Sequence, residues 1–465
     1  MMNCVRGGLL ACVFALLTAC AVGPDYKRPA VDAAAGFKEG NGWKPTEPAD
    51  ALSRGPWWHI FSDDVLNGLE DQIDISNQNV KAFAAEVEVS RALVRQARAG
   101  FFPTITANAD RTRTVTGKLP PETVTSAGLT GSWDIDLWGR IRRTTEGDVA
   151  TLQSDEATLA SARLSAQAQL ATEYFELRAQ DQLQVILNDI VAAEQQSLKI
   201  TENRYRVGVA AKADVVTAQT QLLSSQADQA NAPLQRAIFE HAIAVLVGQQ
   251  PANFSIPPTT MRTDVPTVPA GLPSTLLERR PDVAEAERKV ATANAQIGVA
   301  ISAFFPDLTI NASDRYQGDT ISHLIRTANR VWAFGPTLAL TVFDAGARRA
   351  QVAQARAVYD QSVDNYREAV LTSLQQVEDE IVTLRVDEQR QVIEDAAVKA
   401  SREAETLTLN QYKAGTVPYS SVITAQTARL NSEETALNVL STRLQASVAL
   451  IQALGGGWDA KQLKQ

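Results

Sequence analysis

The chain has 465 residues, of which 45% are hydrophobic and 21% charged, and its formal net charge is −9. That is the composition of a folded, mildly acidic protein, and it lacks the basic excess that nucleic-acid binding asks for.

The first residues, MMNCVRGGLLACVFALLTAC, hold one cation (Arg6) and an apolar run ending at Cys20. The run is too short to span a bilayer, so residues 1–19 read as a secretory signal. Leu17-Thr18-Ala19-Cys20 resembles a bacterial lipobox, in which the cysteine thiol is acylated and becomes the mature N-terminus. An ordinary signal peptide with a chance cysteine is the alternative. Cys4 and Cys12 lie inside the signal, which leaves Cys20 alone in the mature chain, with no disulfide to form. Ala21, not Asp, follows it and resembles the Gram-negative outer-membrane sorting pattern. One acyl modification holds a membrane only modestly, so a second attachment is expected. Residues 20–63 read as the lipidated N-terminal segment. Within it, Trp57-Trp58 could be a ligand platform, but packing against a helical body is the simpler use.

A helical stretch, AAEVEVSRALVRQARAG, then breaks at Phe101-Phe102-Pro103 into alternation. Ile105, Ala107 and Ala109 oppose Thr104, Thr106, Asn108 and Asp110, predicting a strand over about 103–113. A second is predicted over about 128–138. There Leu129, Gly131, Trp133, Ile135 and Leu137 oppose Thr130, Ser132, Asp134 and Asp136.

From about residue 142 to 204 no proline occurs, and Ala, Leu, Gln and Glu dominate. One helix of that length would measure roughly 90 Å and pack as a coiled coil rather than a compact globule. Leu152, Leu159, Leu170, Leu177 and Leu187 are its seam candidates. It reaches Gly208 and returns as a helix over 213–248. Residues 249–273, rich in proline, form a linker that ends before Ser274, a candidate helix cap.

The plan then repeats. Strands are predicted over about 306–316, behind Phe304-Phe305-Pro306, and about 333–343. In the first, Leu308, Ile310 and Ala312 oppose Thr309, Asn311 and Ser313. In the second, Phe334, Leu338, Leu340 and Val342 oppose Thr337 and Thr341. A long helix over 347–411 reaches Gly415 and returns over 418–454. An offset of 207 maps Asn203-Arg-Tyr-Arg-Val-Gly208 onto Asn410-Gln-Tyr-Lys-Ala-Gly415, and Gly248 onto Gly455; the Phe-Phe-Pro pair is offset by 203. The repeats therefore cover 64–248 and 274–455, with a tail over 456–465.

No stretch after residue 20 has the apolar length of a membrane helix, so a membrane crossing would need a closed barrel. Strands of about ten residues, apolar on one face and polar on the other, fit one. Phe101, Phe102, Trp138, Phe304, Phe305 and Phe343 all adjoin the long helices and would form an aromatic girdle at one interface. A soluble sheet with one face on a core is the rival. Four strands cannot close; two copies give a barrel that side chains fill, and three give twelve strands with an open lumen. The expected fold class is mainly α with membrane β: long coiled-coil hairpins plus four transmembrane strands per chain.

Several segments together are similar to the TolC-like outer-membrane efflux family and, within it, to NodT-type lipoproteins. They are Leu17-Thr-Ala-Cys20 followed by Val22-Gly-Pro-Asp-Tyr26, Trp133-Asp-Ile-Asp-Leu-Trp-Gly-Arg140, Leu277-Glu-Arg-Arg-Pro-Asp-Val283, Phe304-Phe-Pro306 and Phe343-Asp-Ala-Gly346. The resemblance covers the mature chain. It implies a homotrimer with a twelve-stranded barrel in the outer-membrane lipid, a helical tunnel across the periplasm, a periplasmic adaptor and an inner-membrane pump of the RND type. It implies passive conduction outward. It puts the adaptor contact at the helical turns, here Val207, Gly208 and Val209 and Ala414, Gly415 and Thr416. It puts an entrance gate at Asp214 and Tyr412, although Val417, Ser421 and Thr424 depart from the family's charged gate. A helix-start carboxylate is the plainer role for Asp214.

His59, His241 and His323 lack metal-ligand spacing, and no phosphate loop, nucleophile elbow or zinc signature occurs, so neither an enzyme nor a cofactor is expected. Two alternatives stay open: the exit duct of a type I protein secretion system, and a lipid-anchored coiled-coil scaffold, which leaves the strands without a purpose.

Overall fold

The computed structural model describes residues 21–31, 36–40, 56–268, 279–459 and 463. Cys20, the signal over 1–19 and Ser274 lie outside them. The described chain runs α1 (Asp64–Ser76), α2 (Gln78–Ala99), β1 (Thr104–Thr114), β2 (Glu122–Ile135), α3 (Arg140–Arg206) and α4 (Lys212–Leu246). The second copy follows as α5 (Pro281–Ser302), β3 (Asp307–Gly318), β4 (Arg330–Ala339), α6 (Ala347–Ala414) and α7 (Tyr419–Ala453). No described helix is long and apolar enough to cross a membrane.

The contacts divide the chain into two compact units. Among the described residues, one comprises those over 21–31, 85–156 and 283–369 and contains the sheet. Its order is β1-β2-β3-β4, every pair antiparallel, so β1 and β4 are edges. Register sorts the side chains. Ile105 opposes Gly131, Trp133 opposes Ile310, and Leu308 opposes Leu338, all on one face. Thr106 opposes Thr130, Ser132 opposes Asn311, and Thr309 opposes Thr337, on the other. The predicted faces over these strands are the observed ones.

Strand ends differ from expectation. β2 begins at Glu122, ahead of the expected 128, because β1 pairs along its whole length and draws in Thr123–Ala127, whose small side chains carry no apolar alternation. It stops at Ile135, because the Asp136 carboxylate accepts from Ile141 N (3.0 Å) and Arg142 N (2.9 Å) and so starts α3. Such a carboxylate satisfies free N–H groups at the positive end of the helix. β4 runs from Arg330 only to Ala339, which pairs with Asp307, the first residue of β3. Leu340, Thr341, Val342 and Phe343 thus pass their partner's end. There Arg348 Nη2 donates to Thr341 O (2.6 Å), and Asp344 accepts from Gly346 N (3.0 Å) at the start of α6.

The other unit comprises the described residues over 36–84, 157–282 and 370–463 and holds the main apolar core. Of the seam candidates, Leu170, Leu177 and Leu187 are buried; Leu159 packs at the core's edge. Trp57 and Trp58 are buried edge-to-face at 5.8 Å, with Phe61 against Phe175 at 5.0 Å, so they are core rather than a platform. Asp63 caps α1 by accepting from Val65 N and Leu66 N. The repeat reappears as packing. Gly248 (φ +68°) seats against the carbonyl of Ser76, and Gly455 (φ +90°) against that of Arg279, where a Cβ would come within 2.3 and 2.1 Å. Only glycine fits both that conformation and that approach.

Candidate functional site

Three features on this scaffold bear on function: the sheet, a strap formed by residues 21–31, and the hairpin turns.

The sheet's polar face is tied crosswise. Asn108 Nδ2 donates to Thr130 Oγ1 (2.8 Å), Thr309 Oγ1 to Asp134 Oδ1 (2.9 Å) and Asn311 Nδ2 to Thr337 Oγ1 (3.2 Å). Its apolar face leaves Ile105, Phe334 and Leu338 more than 60% exposed. A face that apolar is unsuited to water, and no core is laid over it among the described residues.

Of the expected girdle residues, Trp138 and Phe305 stack at 4.6 Å, and Trp138 Nε1 donates to Pro306 O (2.8 Å). Phe304 lies under the Arg348 guanidinium, 5.2 Å from its ring centre. The Phe101 carbonyl accepts from Trp133 Nε1 (2.9 Å), and Phe102 and Phe343 are exposed. Sequence reading missed Tyr316 and Trp332, which share the apolar face at the sheet's far end; the aromatic in Arg330-Val-Trp332 was the available signal.

The strap was not anticipated as structure. Val22 N donates to Trp138 O (3.1 Å), and Asn294 Nδ2 to Pro24 O (2.9 Å). Buried Arg143 donates to Val22 O, Gly23 O and Asp25 Oδ1 at 3.3, 3.3 and 2.8 Å. Gly23 (φ +94°) passes so close to Gly298 that a Cβ on it would sit 2.5 Å from the Gly298 Cα. Ala21, the residue after Cys20, lies against Gly139 at the β2–α3 junction. A Cβ at Gly298 would meet Arg143 Cγ at 2.8 Å and Val22 O at 3.0 Å. Gly298→Val should therefore loosen the strap at a cost of about 1–3 kcal/mol, although valine suits the helix better than glycine. The expected readout is faster tryptic cleavage after Lys27 with unchanged helical circular dichroism; an unchanged cleavage rate refutes the tie.

At the turns, Gly208 (φ +74°) and Gly415 (φ +80°) adopt the left-handed conformation that ends α3 and α6. Val207 and Val209 are 71% and 60% exposed; Ala414 and Thr416 are also exposed. Tyr412 is buried, and its hydroxyl donates to Thr201 Oγ1 (3.3 Å), linking α6 to α3. Arg204 lies 4.8 Å over the Tyr412 ring, and its Nη1 donates to Lys413 O (2.8 Å), a tie that sequence reading missed. Asp214 does not meet Tyr412; its carboxylate accepts from Ala211 N (3.4 Å) at the start of its own helix. Tyr419 packs against Tyr412 with ring centres 5.2 Å apart and the rings tilted, and burial, then the charge of Glu194, pushes its phenol pKa up. Val417 packs on this pair, Ser421 N donates to Pro418 O, and Thr424 Oγ1 donates to Ser420 O, so the second turn is held by an apolar cluster.

The chain matches the family described as outer membrane efflux protein over residues 69–249 and 272–456. It is 28% identical over 461 residues to the probable efflux pump outer membrane protein TtgC of Pseudomonas putida, covering 97% of this chain and 95% of that one. It is 27% identical over 462 residues to the cation efflux system protein CusC of Escherichia coli, covering 96% and 98%. Among solved structures, the outer-membrane channel OprN is 29% identical with a TM-score of 0.87, covering 94% of this chain and 100% of that one. The open-state MtrE outer membrane channel of Neisseria gonorrhoeae is 26% identical with a TM-score of 0.84, covering 95% and 99%. With both repeats matched and the sheet and hairpins in place, the chain belongs to the outer membrane efflux protein family and is an outer-membrane channel component of an efflux pump, extending into the periplasm of a Gram-negative envelope.

Proposed function

We propose that three copies close a twelve-stranded barrel through which substrates pass passively to the exterior, delivered by a periplasmic adaptor and an inner-membrane pump of the RND type. The observation that carries this is the sheet: one apolar face, one polar face, and two unpaired edges, β1 and β4. Unpaired backbone is not tolerated in lipid, and β1 of one copy runs antiparallel to β4 of the next. Cys20 is the acyl anchor; the strap holds the neighbouring Ala21 beside the Trp138–Phe305 stack, at the level proposed for the inner interface. Relatives are named for toluene, antibiotic and cation efflux. The polar face mixes short hydroxyl and amide side chains with carboxylates such as Asp110 and Asp134, a lining for water and ions, and the choice among such cargoes is assigned to the pump. The test is the mass and single-channel conductance of purified protein in planar bilayers: a trimer with open events supports the barrel, and a monomer without conductance refutes it.

The adaptor contact is placed at Val207-Gly208-Val209 and Ala414-Gly415-Thr416. Because any residue other than glycine is strained at φ +74°, the valines make the cleaner test. Val207→Asp with Val209→Asp should abolish export and adaptor pull-down while trimer yield stays unchanged; retained export places the contact elsewhere. At the entrance, Tyr412 with Arg204 holds the closed turns, and Asp214 acts through its own helix start.

A further inference from the structure

The end of the sheet away from the helices carries chemistry that conduction does not use. On the face shared by Ile105, Ala107 and Ala109, β1 continues into Arg111 and Arg113. Both are exposed, and neither forms an ion pair with a described residue. On the same face, β4 opens with Arg330 and Trp332 and β3 ends near Tyr316. Arg330 is held by the Asp314 carboxylate at 2.9 and 2.7 Å. The one acid among these cations is thus already paired, whereas Glu122 opposes Thr114 on the other face.

Arginine on the lipid side of a barrel is costly at the midplane and nearly free at an interface, so level decides its meaning. From Phe102 at the inner junction to Arg111 the chain climbs nine residues. At about 3.3 Å each and a tilt of about 40°, that is roughly 23 Å, close to the height of the apolar band. Arg111 and Arg113 therefore emerge at the headgroups of the outer leaflet, where Trp and Tyr also settle.

We propose that Arg111 and Arg113, on the edge strand β1, bind the phosphates of the phosphorylated glycolipid of the outer leaflet. Guanidinium groups take phosphate oxygens in pairs, and two unpaired arginines spaced two residues apart on a strand offer a fork to each. The inference rests on the barrel reading, since it needs this face against lipid. Closure would place β4 of the next copy, which opens with Arg330 and Trp332, alongside β1.

The experiment is native mass spectrometry of the purified full-length protein in detergent with lipid A carrying both phosphates. The wild-type trimer should retain the lipid, and removing both phosphates from the lipid should cut retention about tenfold. Arg111→Gln with Arg113→Gln should do the same, while Arg111→Lys with Arg113→Lys keeps part of it. Equal retention of the phosphate-free lipid by wild type, or of the intact lipid by an assembled Gln variant, overturns the proposal. The phosphate comparison needs no variant, so it decides even if the Gln protein fails to assemble. A wild-type spectrum without trimer overturns the barrel reading and this inference with it, and is recognised by its mass.

Discussion

Leu338→Lys should remove most of the assembled trimer, whereas Thr337→Lys should assemble and shift the channel's ion selectivity. The residues are neighbours on β4, but Leu338 opposes Leu308 and Thr337 opposes Thr309. Thr337 Oγ1 accepts from Asn311 in the polar network, while Leu338 is 66% exposed with nothing apolar laid over it among the described residues. Lysine on the lipid side costs about 2–4 kcal/mol at the midplane of such barrels and less toward either interface, and the cost recurs in every copy. The same ammonium on the polar face stays in water and adds one charge per copy to the pore, which favours anions over cations. Trimer yield by size exclusion and reversal potential in a salt gradient are the measurements. Equal assembly of the two variants would show that the faces are assigned the wrong way round or that no lipid covers the sheet.

What was legible in the sequence was mostly periodic. Strand faces could be read because a side-chain period of two survives any error in the ends. The ends could not, because pairing partners set them: Leu340–Phe343 look like strand but pass the end of β3, and Thr123–Ala127 do not look like strand but lie opposite β1. The long helices were readable from the absence of proline, and the hairpin turns from the repeated glycine. The strap was not, since residues 21–31 have no period and are held by Arg143, Asn294 and two glycines distant in sequence. Gly139 and Gly298 were the only local signs of a close backbone approach. At the turns, Tyr412 could be named, but its bond to Thr201, 211 residues away, follows only from how α3 and α6 pack.

Glu70→Gln should stabilise the protein at neutral pH, by an amount that shrinks as the pH is lowered. Glu70 lies on α1 with 1% of its surface exposed, and neither carboxylate oxygen has a hydrogen-bond partner among the described residues. Burial pushes its carboxyl well above the ordinary carboxylate range, and the negative charges of Asp71 and Asp74 push it the same way. Folding must then supply a proton that the unfolded chain, with a carboxylate pKa of about 4.3, has given up. The sign follows: between the unfolded value and the raised folded one the native state binds more protons, so stability falls as pH rises, by about 1.4 kcal/mol per unit. Above the folded value the loss levels off. Glutamine has nearly the same shape and needs no proton, so it escapes that slope and should gain on wild type as the pH rises toward and above neutrality. Glu173, Glu194, Glu380 and Glu434 are also raised by burial, so the whole protein should become more stable toward mild acid. Subtracting the Glu70→Gln curve from the wild-type curve isolates the one group. Glu70→Met, which also removes the buried polar atoms, should gain at least as much as glutamine. The measurement is the unfolding midpoint of detergent-solubilised protein from pH 5 to 8. A difference between wild type and Glu70→Gln that stays constant across that range would show that Glu70 does not change its protonation there, and that its burial is compensated in the folded protein.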